Sequence, residues 1–267
     1  MPFTVSHIAA VLPAHRALSR ARLLSAAIIG SMVPDFGMLL PGSLARWQTH
    51  SLPALFSFCL PVGLAVYALT LLLIKPAMME ILPDRAYARL SVAQDAGRPL
   101  SVASWLYAAL AILFGAVTHL IWDGFTHERA RGVRMFPILD AYGPELDGHS
   151  LQLYRLLQYG SSVLGLLVVM AALVLWLRHA PPPAQPPRRR LQMLERCAWS
   201  GLYIALPLFG MAVSLWHLHA PALASWPVGT KLERIAMAGM RASGVSLVLV
   251  SLLLLLRLLP YRRAPRT

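Results

Sequence analysis

Hydrophobic positions in this chain are grouped into long uncharged runs, and they neither alternate nor mark one face of short helices. A helix needs about 20 apolar residues to cross ~30 Å of hydrocarbon. A spanning segment must be helical, because each unpaired backbone group in lipid costs several kcal/mol. The pattern therefore predicts an all-α, polytopic integral membrane protein with about five transmembrane helices, at residues 52–74, 99–122, 156–177, 197–217 and 242–259.

A further apolar run at residues 23–33 is too short to cross the membrane. Pro34 follows it directly, and a proline disfavours helical geometry at the residue before it. Three arginines precede the run. We expect a short N-terminal helix that is interfacial or re-entrant, and the alternative of a sixth span stays open.

The composition supports a membrane protein and argues against nucleic-acid binding. The chain is 57% hydrophobic and 13% charged, with a mean hydropathy of +0.60, whereas soluble domains are about 25% charged. Its net charge is +13, but the arginines flank apolar runs, as topology signals and contacts to anionic lipids do. No basic stretch interleaved with aromatic residues is present. We therefore expect membrane lipids as partners, no nucleic acid, and no identifiable protein partner.

Arginine placement predicts the orientation of the chain. The linker at residues 178–196 and the tail at 257–266 are the most basic segments, so both should be cytoplasmic. Each span crosses the membrane once, so counting the spans back from the linker places residues 123–155 and 1–51 on the outer side. A multi-pass protein of the bacterial inner (plasma) membrane fits this arrangement. The proline-rich "APPPAQPPRRR" lies in a linker (178–198) between a first domain (1–177) and a C-terminal helical pair with its basic tail (199–267).

The stretch "FGAVTHLIWDGFTH" carries the most informative polar residues. His119 and Asp123 are four residues apart and so share one helix face. His127 continues this stripe if the helix persists past Gly124, and otherwise a turn at Gly124 can fold it back. Histidine with aspartate suits a divalent ion such as zinc, iron or manganese, so the stretch predicts a metal site.

Three more ionisable residues lie beside apolar segments on the same predicted side: His7, Asp35 and His50. Such residues are costly near hydrocarbon and mark functional sites. Each also has a structural interpretation: His7 in a first helical turn, Asp35 as a turn residue, and His50 near a helix cap. His119 and Asp123 can likewise form a hydrogen-bonded contact between helices. Their joint placement favours the metal site.

Five motifs resemble, in order and spacing, the bacterial membrane family known as domain of unknown function 4184: "FTVSHIAAVLP", "IIGSMVPDFG", "THSLPALFSFCLPVGL", "GAVTHLIWDGFTH" and "LLQYGSSVLGL". They cover about residues 1–177. More distantly, the set H…PD…R-x-x-THS…H-x-x-x-D is similar to that of inner-membrane proteins described as metal-dependent hydrolases, and H-x-x-x-D to a fragment of the soluble zinc phospholipase C and P1-nuclease group. The resemblance implies a metal site of His7, Asp35, His50, His119 and Asp123, with His127 as a further ligand. It implies no substrate.

The leading functional hypothesis is a metal-dependent hydrolase at the membrane surface, acting on a phosphoester or lipid-like substrate. Asp35 or Asp123 would bridge or orient the ions, with zinc as the first expected metal. Glu128 is the candidate general base. Arg129, Arg131 and Arg134 can hold an anionic head group, or form a solvated loop. The alternatives are a non-catalytic membrane protein with a structural or metal-binding polar core and, third, a transporter, which would need its polar residues nearer the midplane.

The orientation can be tested with reporters. Fusions after Arg190 and after Thr267 should both report the cytoplasm, because the surrounding segments hold the densest arginine. A reporter at Gly148 should report the opposite side. The same side for Gly148 and Thr267 would exclude the arrangement with five spans.

Overall fold

Most of the chain is helical. The computed structural model describes residues 4–39, 44–84, 86–87, 101–146, 149–179, 191–218 and 228–263. Five helices in this part are long and apolar enough to cross a membrane, so the predicted all-α polytopic fold is confirmed. The proline-rich segment 180–190 and the end of the basic tail at 264–267 lie outside the described residues.

Every predicted span corresponds to one observed helix. We label the helices in chain order: α1 (His15–Arg20), α2 (Leu24–Met32), α3 (Arg46–Thr49), α4 (Leu55–Ile81), α5 (Val102–Thr126), α6 (Arg131–Met135), α7 (Leu153–Arg178), α8 (Met193–Leu218) and α9 (Val228–Arg263). The long helices α4, α5, α7, α8 and α9 extend beyond the predicted bounds at one end or both. Hydropathy marks the part of a helix that suits lipid, whereas the helix itself continues into polar residues as long as its backbone hydrogen bonds do.

The chain forms two compact units, each made of two separate stretches of sequence. The first change from one unit to the other, between residues 67 and 68, falls inside α4. The first unit holds residues 1–67 and 99–176, and the second holds 68–98 and 177–267. The division predicted from the linker, at residues 178–198, stays a prediction. All the candidate site residues belong to the first unit.

The N-terminal segment of the first unit doubles back on itself. It begins with the 3-10 helix Thr4–Ala10, continues through α1, and reverses at Arg22, whose φ of 62° is the left-handed conformation of a turn. Helix α2 and the 3-10 helix Val33–Leu39 then return. The Thr4 hydroxyl donates a 2.8 Å hydrogen bond to Asp35 Oδ2, so both ends of the hairpin meet. At 1.5 Å per residue, α2 is about 14 Å long, near half of the hydrocarbon thickness. This length fits an interfacial and a re-entrant helix equally, so that choice stays a prediction.

Glycines let α2 lie directly against α5. A Cβ added to Gly30 would overlap with the backbone carbonyl of Ile112, and one added to Gly115 would overlap with the carbonyl of Ala27. Small residues let helix backbones approach closely in membrane proteins, where packing replaces the hydrophobic drive between helices. This contact fixes the hairpin, and therefore His7 and Asp35, against the helix that carries His119 and Asp123.

Two short strands follow α6 and depart from the all-helical prediction. Strands β1 (Tyr142–Leu146) and β2 (His149–Gln152) pair as an antiparallel hairpin in the loop before α7. The dipeptide Asp147–Gly148 is a common hairpin signal. Hydropathy does not detect such a signal, because it concerns backbone conformation.

The second unit is a helical assembly around α8 and α9. The Tyr203 hydroxyl and the Ser251 hydroxyl are 2.8 Å apart and link the two helices. Its buried core consists of small and branched apolar side chains from three parts of the chain: Ala77, Ile81, Leu191, Leu254 and Leu258.

The contact between α2 and α5 predicts that two glycine-to-alanine substitutions will differ in their effect on stability. Replacing Gly115 by Ala should lower the stability of the detergent-solubilised protein by about 1–3 kcal/mol, because the new methyl group meets backbone that cannot move aside. Replacing Gly160 by Ala is the matched control, since its methyl group would meet no described atom within 4 Å, and alanine favours a helix by up to about 1 kcal/mol. Thermal unfolding measures both. Equal melting temperatures for the two variants would contradict the close approach.

Candidate metal centre

Four side chains that are distant in sequence converge at the end of α5. Asp35 comes from the 3-10 helix after α2, His50 is the residue that ends α3, and His119 and Asp123 lie on α5. One potential ligand atom of each lies within 4.8 Å of all the others. Asp35, His119 and Asp123 are almost completely buried, and the side chain of His50 is 6% exposed. This Asp/His cluster can hold a metal ion.

Four of the six separations between the ligand atoms are close to those around a tetrahedral ion. His50 Nε2 lies 3.3 Å from Asp35 Oδ1 and 3.4 Å from Asp123 Oδ2. His119 Nε2 lies 3.6 Å and 3.4 Å from the same two oxygens. Zinc bonds of 2.0–2.2 Å in a tetrahedron place neighbouring ligands about 3.4 Å apart. The four measured separations agree with that value, whereas a direct N–H···O hydrogen bond would be about 2.9 Å.

The facing atoms are not satisfied by one another. Within the described part of the chain, buried His50 Nε2, His119 Nε2 and Asp35 Oδ1 make no hydrogen bond, and neither does Asp123 Oδ1. Buried polar atoms nearly always have a partner, so several orphans facing one another require an explanation. A divalent cation bound among them would satisfy these atoms.

The ring of His119 is held with the correct nitrogen toward the cluster. Its Nδ1 lies 2.7 Å from the carbonyl oxygen of Ser31. A carbonyl can only accept a hydrogen bond, so Nδ1 carries a proton, and in the neutral ring the lone pair is then on Nε2, which faces the cluster. A hydrogen bond from the second ring nitrogen is what fixes a metal-binding histidine in most proteins.

Similar contacts orient His50 and Asp35. His50 Nδ1 lies 2.7 Å from the hydroxyl of Thr49, so its Nε2 points at the carboxylates. The Sγ of Cys59, which is fully buried, donates a 3.5 Å hydrogen bond to the Thr49 carbonyl and ties this segment to α4. The bond from Thr4 to Asp35 Oδ2 leaves Oδ1 facing the histidines.

Two more of the predicted ligands contact Asp123 on its other oxygen. His7 Nε2 lies 3.6 Å and His127 Nδ1 lies 3.5 Å from Asp123 Oδ1. The His7 ring stacks on the ring of His119 with centroids 3.8 Å apart. Burial, with a smaller effect of neighbouring His119, lowers the pKa of His7 to about 4, and burial also lowers the pKa of His127 to about 4. Both rings are therefore neutral at pH 7, as metal ligands must be.

The two alternatives for His127 are resolved by the end of α5. The helix continues past Gly124 to Thr126, and His127 is its C-cap residue with φ −128° and ψ 145°. The His127 side chain thus remains beside Asp123, and the backbone leaves the helix at this residue. His127 Nε2 also contacts the Gln158 side chain on α7 at 2.9 Å.

Arg46 is a site residue that the analysis of single histidines and aspartates missed. Its guanidinium donates a 2.8 Å hydrogen bond to Asp123 Oδ2, and its side chain is 43% exposed. The signal was present in "RWQTHS", where Arg46 precedes His50 by four residues and so shares its side of a helical turn.

The remaining predicted residues line a pocket beside the cluster. Glu128, Arg129, Arg131 and Arg134 all contribute to a cavity of about 620 Å³ whose wall also includes His50 and Asp123. The carboxylate of Glu128 lies 3.5 Å from Arg129 Nε and is more than half exposed. The structure therefore places these four residues near the cluster but not within it. Their roles as general base and head-group ligands stay predictions.

The family model described as domain of unknown function DUF4184 matches residues 1–253. The chain belongs to this family. The match confirms the resemblance and extends it beyond residue 177, where the motifs end, into the last helix. No curated protein and no solved structure matches the chain.

Proposed function

We propose that this member of DUF4184 is a divalent-cation-dependent hydrolase that acts at the membrane surface on an anionic, lipid-like phosphoester. One observation carries the proposal. His50 and Asp123 belong both to the Asp/His cluster and to the wall of the adjacent pocket. A cation in the cluster would therefore be next to any ligand in the pocket.

The pocket wall has an apolar side and a basic side. Val117, Leu120 and Ile121 form its apolar side on the last turns of α5, a helix apolar enough to cross a membrane. Trp47 adds an aromatic ring that is 73% exposed. The basic side consists of the arginines that precede His50 and follow α5: Arg46, Arg129, Arg131 and Arg134.

This division selects an amphiphilic ligand. Small-molecule sites usually have volumes of about 300–1,000 Å³, and the pocket at about 620 Å³ is in that range. Guanidinium groups match the oxygens of a phosphate in pairs. The apolar turns of α5 suit a hydrocarbon tail. A sugar or a peptide would leave either the apolar wall or the arginines unused.

Hydrolysis of a phosphoester needs an activated water and neutralisation of the phosphate charge. The water oxygen bonds to phosphorus, the bond from phosphorus to the leaving oxygen breaks, and the water proton passes finally to that oxygen. A bound divalent cation supplies the activation, since it lowers the pKa of its water from 15.7 to about 7. Zinc is the first candidate, because two imidazoles and two carboxylates are ligands that it accepts.

The residues around the cluster have separate tasks in this proposal. Asp35 and Asp123 supply the negative charge that balances a cation. Arg46 already reaches Asp123 at 2.8 Å and lines the pocket, so its guanidinium can hold a phosphate oxygen beside the cluster. Glu128, on the pocket wall, is the candidate acceptor of the water proton.

Location follows from the predicted orientation. With the basic linker and tail in the cytoplasm, the end of α5 that carries the cluster would face outward from a bacterial inner membrane. The substrate would then be a lipid of the outer leaflet, or one presented there.

The second candidate is a membrane protein that binds a metal without catalysis. The cluster supports metal binding equally in both cases, and only the pocket favours the enzyme. A purely structural polar core is the weakest alternative, because its facing atoms are unsatisfied among the described residues.

Two matched probes test the proposed activity: methyl and dodecyl p-nitrophenyl phosphate, incubated with the purified protein and zinc. We expect the dodecyl ester to have the lower KM, because its tail can bury apolar surface against α5. Asp123→Asn should lower kcat for both esters by roughly a hundredfold or more, since water activation depends on the ion. Ile121→Glu should raise KM for the dodecyl ester alone.

Arg16→Gln is the control, because Arg16 is an exposed residue of α1 and outside the pocket. It should leave both rates unchanged. Zinc retained by the parent without hydrolysis of either ester would favour the non-catalytic metal-binding protein. Equal rates for parent and Asp123→Asn would remove Asp123 from the chemistry.

A further inference from the structure

The two oxygens of Asp123 face two different sets of nitrogen atoms. Oδ2 lies 3.4 Å from both His50 Nε2 and His119 Nε2. Oδ1 lies 3.6 Å from His7 Nε2 and 3.5 Å from His127 Nδ1. The carboxylate is thus placed between two pairs of imidazoles.

We infer that the centre binds two divalent cations, the second held by His7, His127 and Oδ1 of Asp123, so that this carboxylate bridges the ions. The inference rests on the proposed function, because the second ion shares Asp123 with the first. It adds a ligand set that the four-residue cluster of Asp35, His50, His119 and Asp123 does not include.

The contacts around Oδ1 fit a cation better than they fit a hydrogen-bonded core. The distances from Oδ1 to His7 Nε2 and to His127 Nδ1 are close to the separation of neighbouring ligands around one tetrahedral ion, which is about 3.4 Å. Oδ1 is buried and makes no hydrogen bond to any described residue. Two imidazoles and one carboxylate oxygen are three protein ligands, which is the usual number where a further position is left for water or substrate.

The surroundings hold both imidazoles in place. The His7 ring is stacked on His119 and lies edge-on to Trp122, with centroids 3.8 Å and 5.4 Å away. The carboxamide of Gln158 is 2.9 Å from His127 Nε2. With its oxygen turned toward the ring, an orientation that a glutamine amide can equally take, it accepts from Nε2–H. The Nδ1 lone pair then faces the Thr126 hydroxyl, 3.1 Å away, and Asp123 Oδ1, 3.5 Å away.

A bridged pair changes what the site can do to a phosphoester. Ions joined by one carboxylate lie about 3.5–4 Å apart, and such pairs stabilise both the attacking and the leaving oxygen of an in-line displacement.

The test is the number of ions per chain. Protein purified in detergent, equilibrated with MnCl₂ and desalted, should contain about two Mn²⁺ per chain by mass spectrometry, and its electron paramagnetic resonance spectrum should show exchange coupling between them. His127→Gln should retain about one ion and lose the coupling, as should His7→Ala. His127 is the safer position, because its side chain is 16% exposed and that of His7 only 6%.

His15→Ala is the matched control, since His15 is exposed and its ring contacts the Leu12 carbonyl of its own helical segment. It should keep both ions and the coupling. One ion in the parent, retained unchanged in His127→Gln, would overturn the second site while leaving the proposed function intact. No bound ion in the parent would overturn both.

Discussion

Burial of the Asp123 carboxylate at the end of an apolar helix is the constraint on which the rest of the site depends. A buried charge is costly unless it is paired or binds a metal, and Asp123 has a second carboxylate, Asp35, within the same cluster. One guanidinium, from Arg46, contacts it directly. Two negative charges and one positive charge leave an excess of one negative charge, which a divalent cation with a bound hydroxide would neutralise.

The architecture of the first unit follows from this requirement. The polar groups around Asp123 must approach within a few ångströms of it, yet His7 and Asp35 are far from His119 in sequence. The N-terminal hairpin carries both to the end of α5, and Gly30 and Gly115 let it lie against that helix without side chains between them. The same proximity allows the Ser31 carbonyl to reach His119 and fix its ring. Packing and ligand orientation are therefore two results of one backbone contact.

The spans, and the proximity of Asp35, His50, His119 and Asp123, were accessible from sequence because each depends on local patterns. Runs of apolar residues determine the spans, and a spacing of four places His119 and Asp123 on one face. The positions of His7, Asp35 and His50 near apolar segments indicated a common location, although each alone had a structural explanation. The resemblances pointed to the same set, and the pattern R-x-x-THS of the more distant one includes Arg46.

What sequence could not provide was the geometry between segments. The assignment of two imidazoles to each oxygen of Asp123 depends on ring rotations that Ser31, Thr49 and Gln158 control, and no periodicity encodes those contacts. The strands β1 and β2 were missed because a turn signal is a backbone property. Glu128 lies next to His127 in sequence, but the chain turns after α5, which directs its carboxylate toward Arg129 and the pocket.

The central claim is that the Asp/His cluster binds a divalent cation through nitrogen and oxygen atoms. X-ray absorption at the zinc edge, on protein loaded with zinc in detergent, measures the ligand shell directly. The account predicts a four-coordinate shell of imidazole nitrogen and carboxylate oxygen at about 2.0–2.2 Å, with no sulfur at about 2.3 Å. A protein that retains no zinc, or a shell without imidazole, would contradict it.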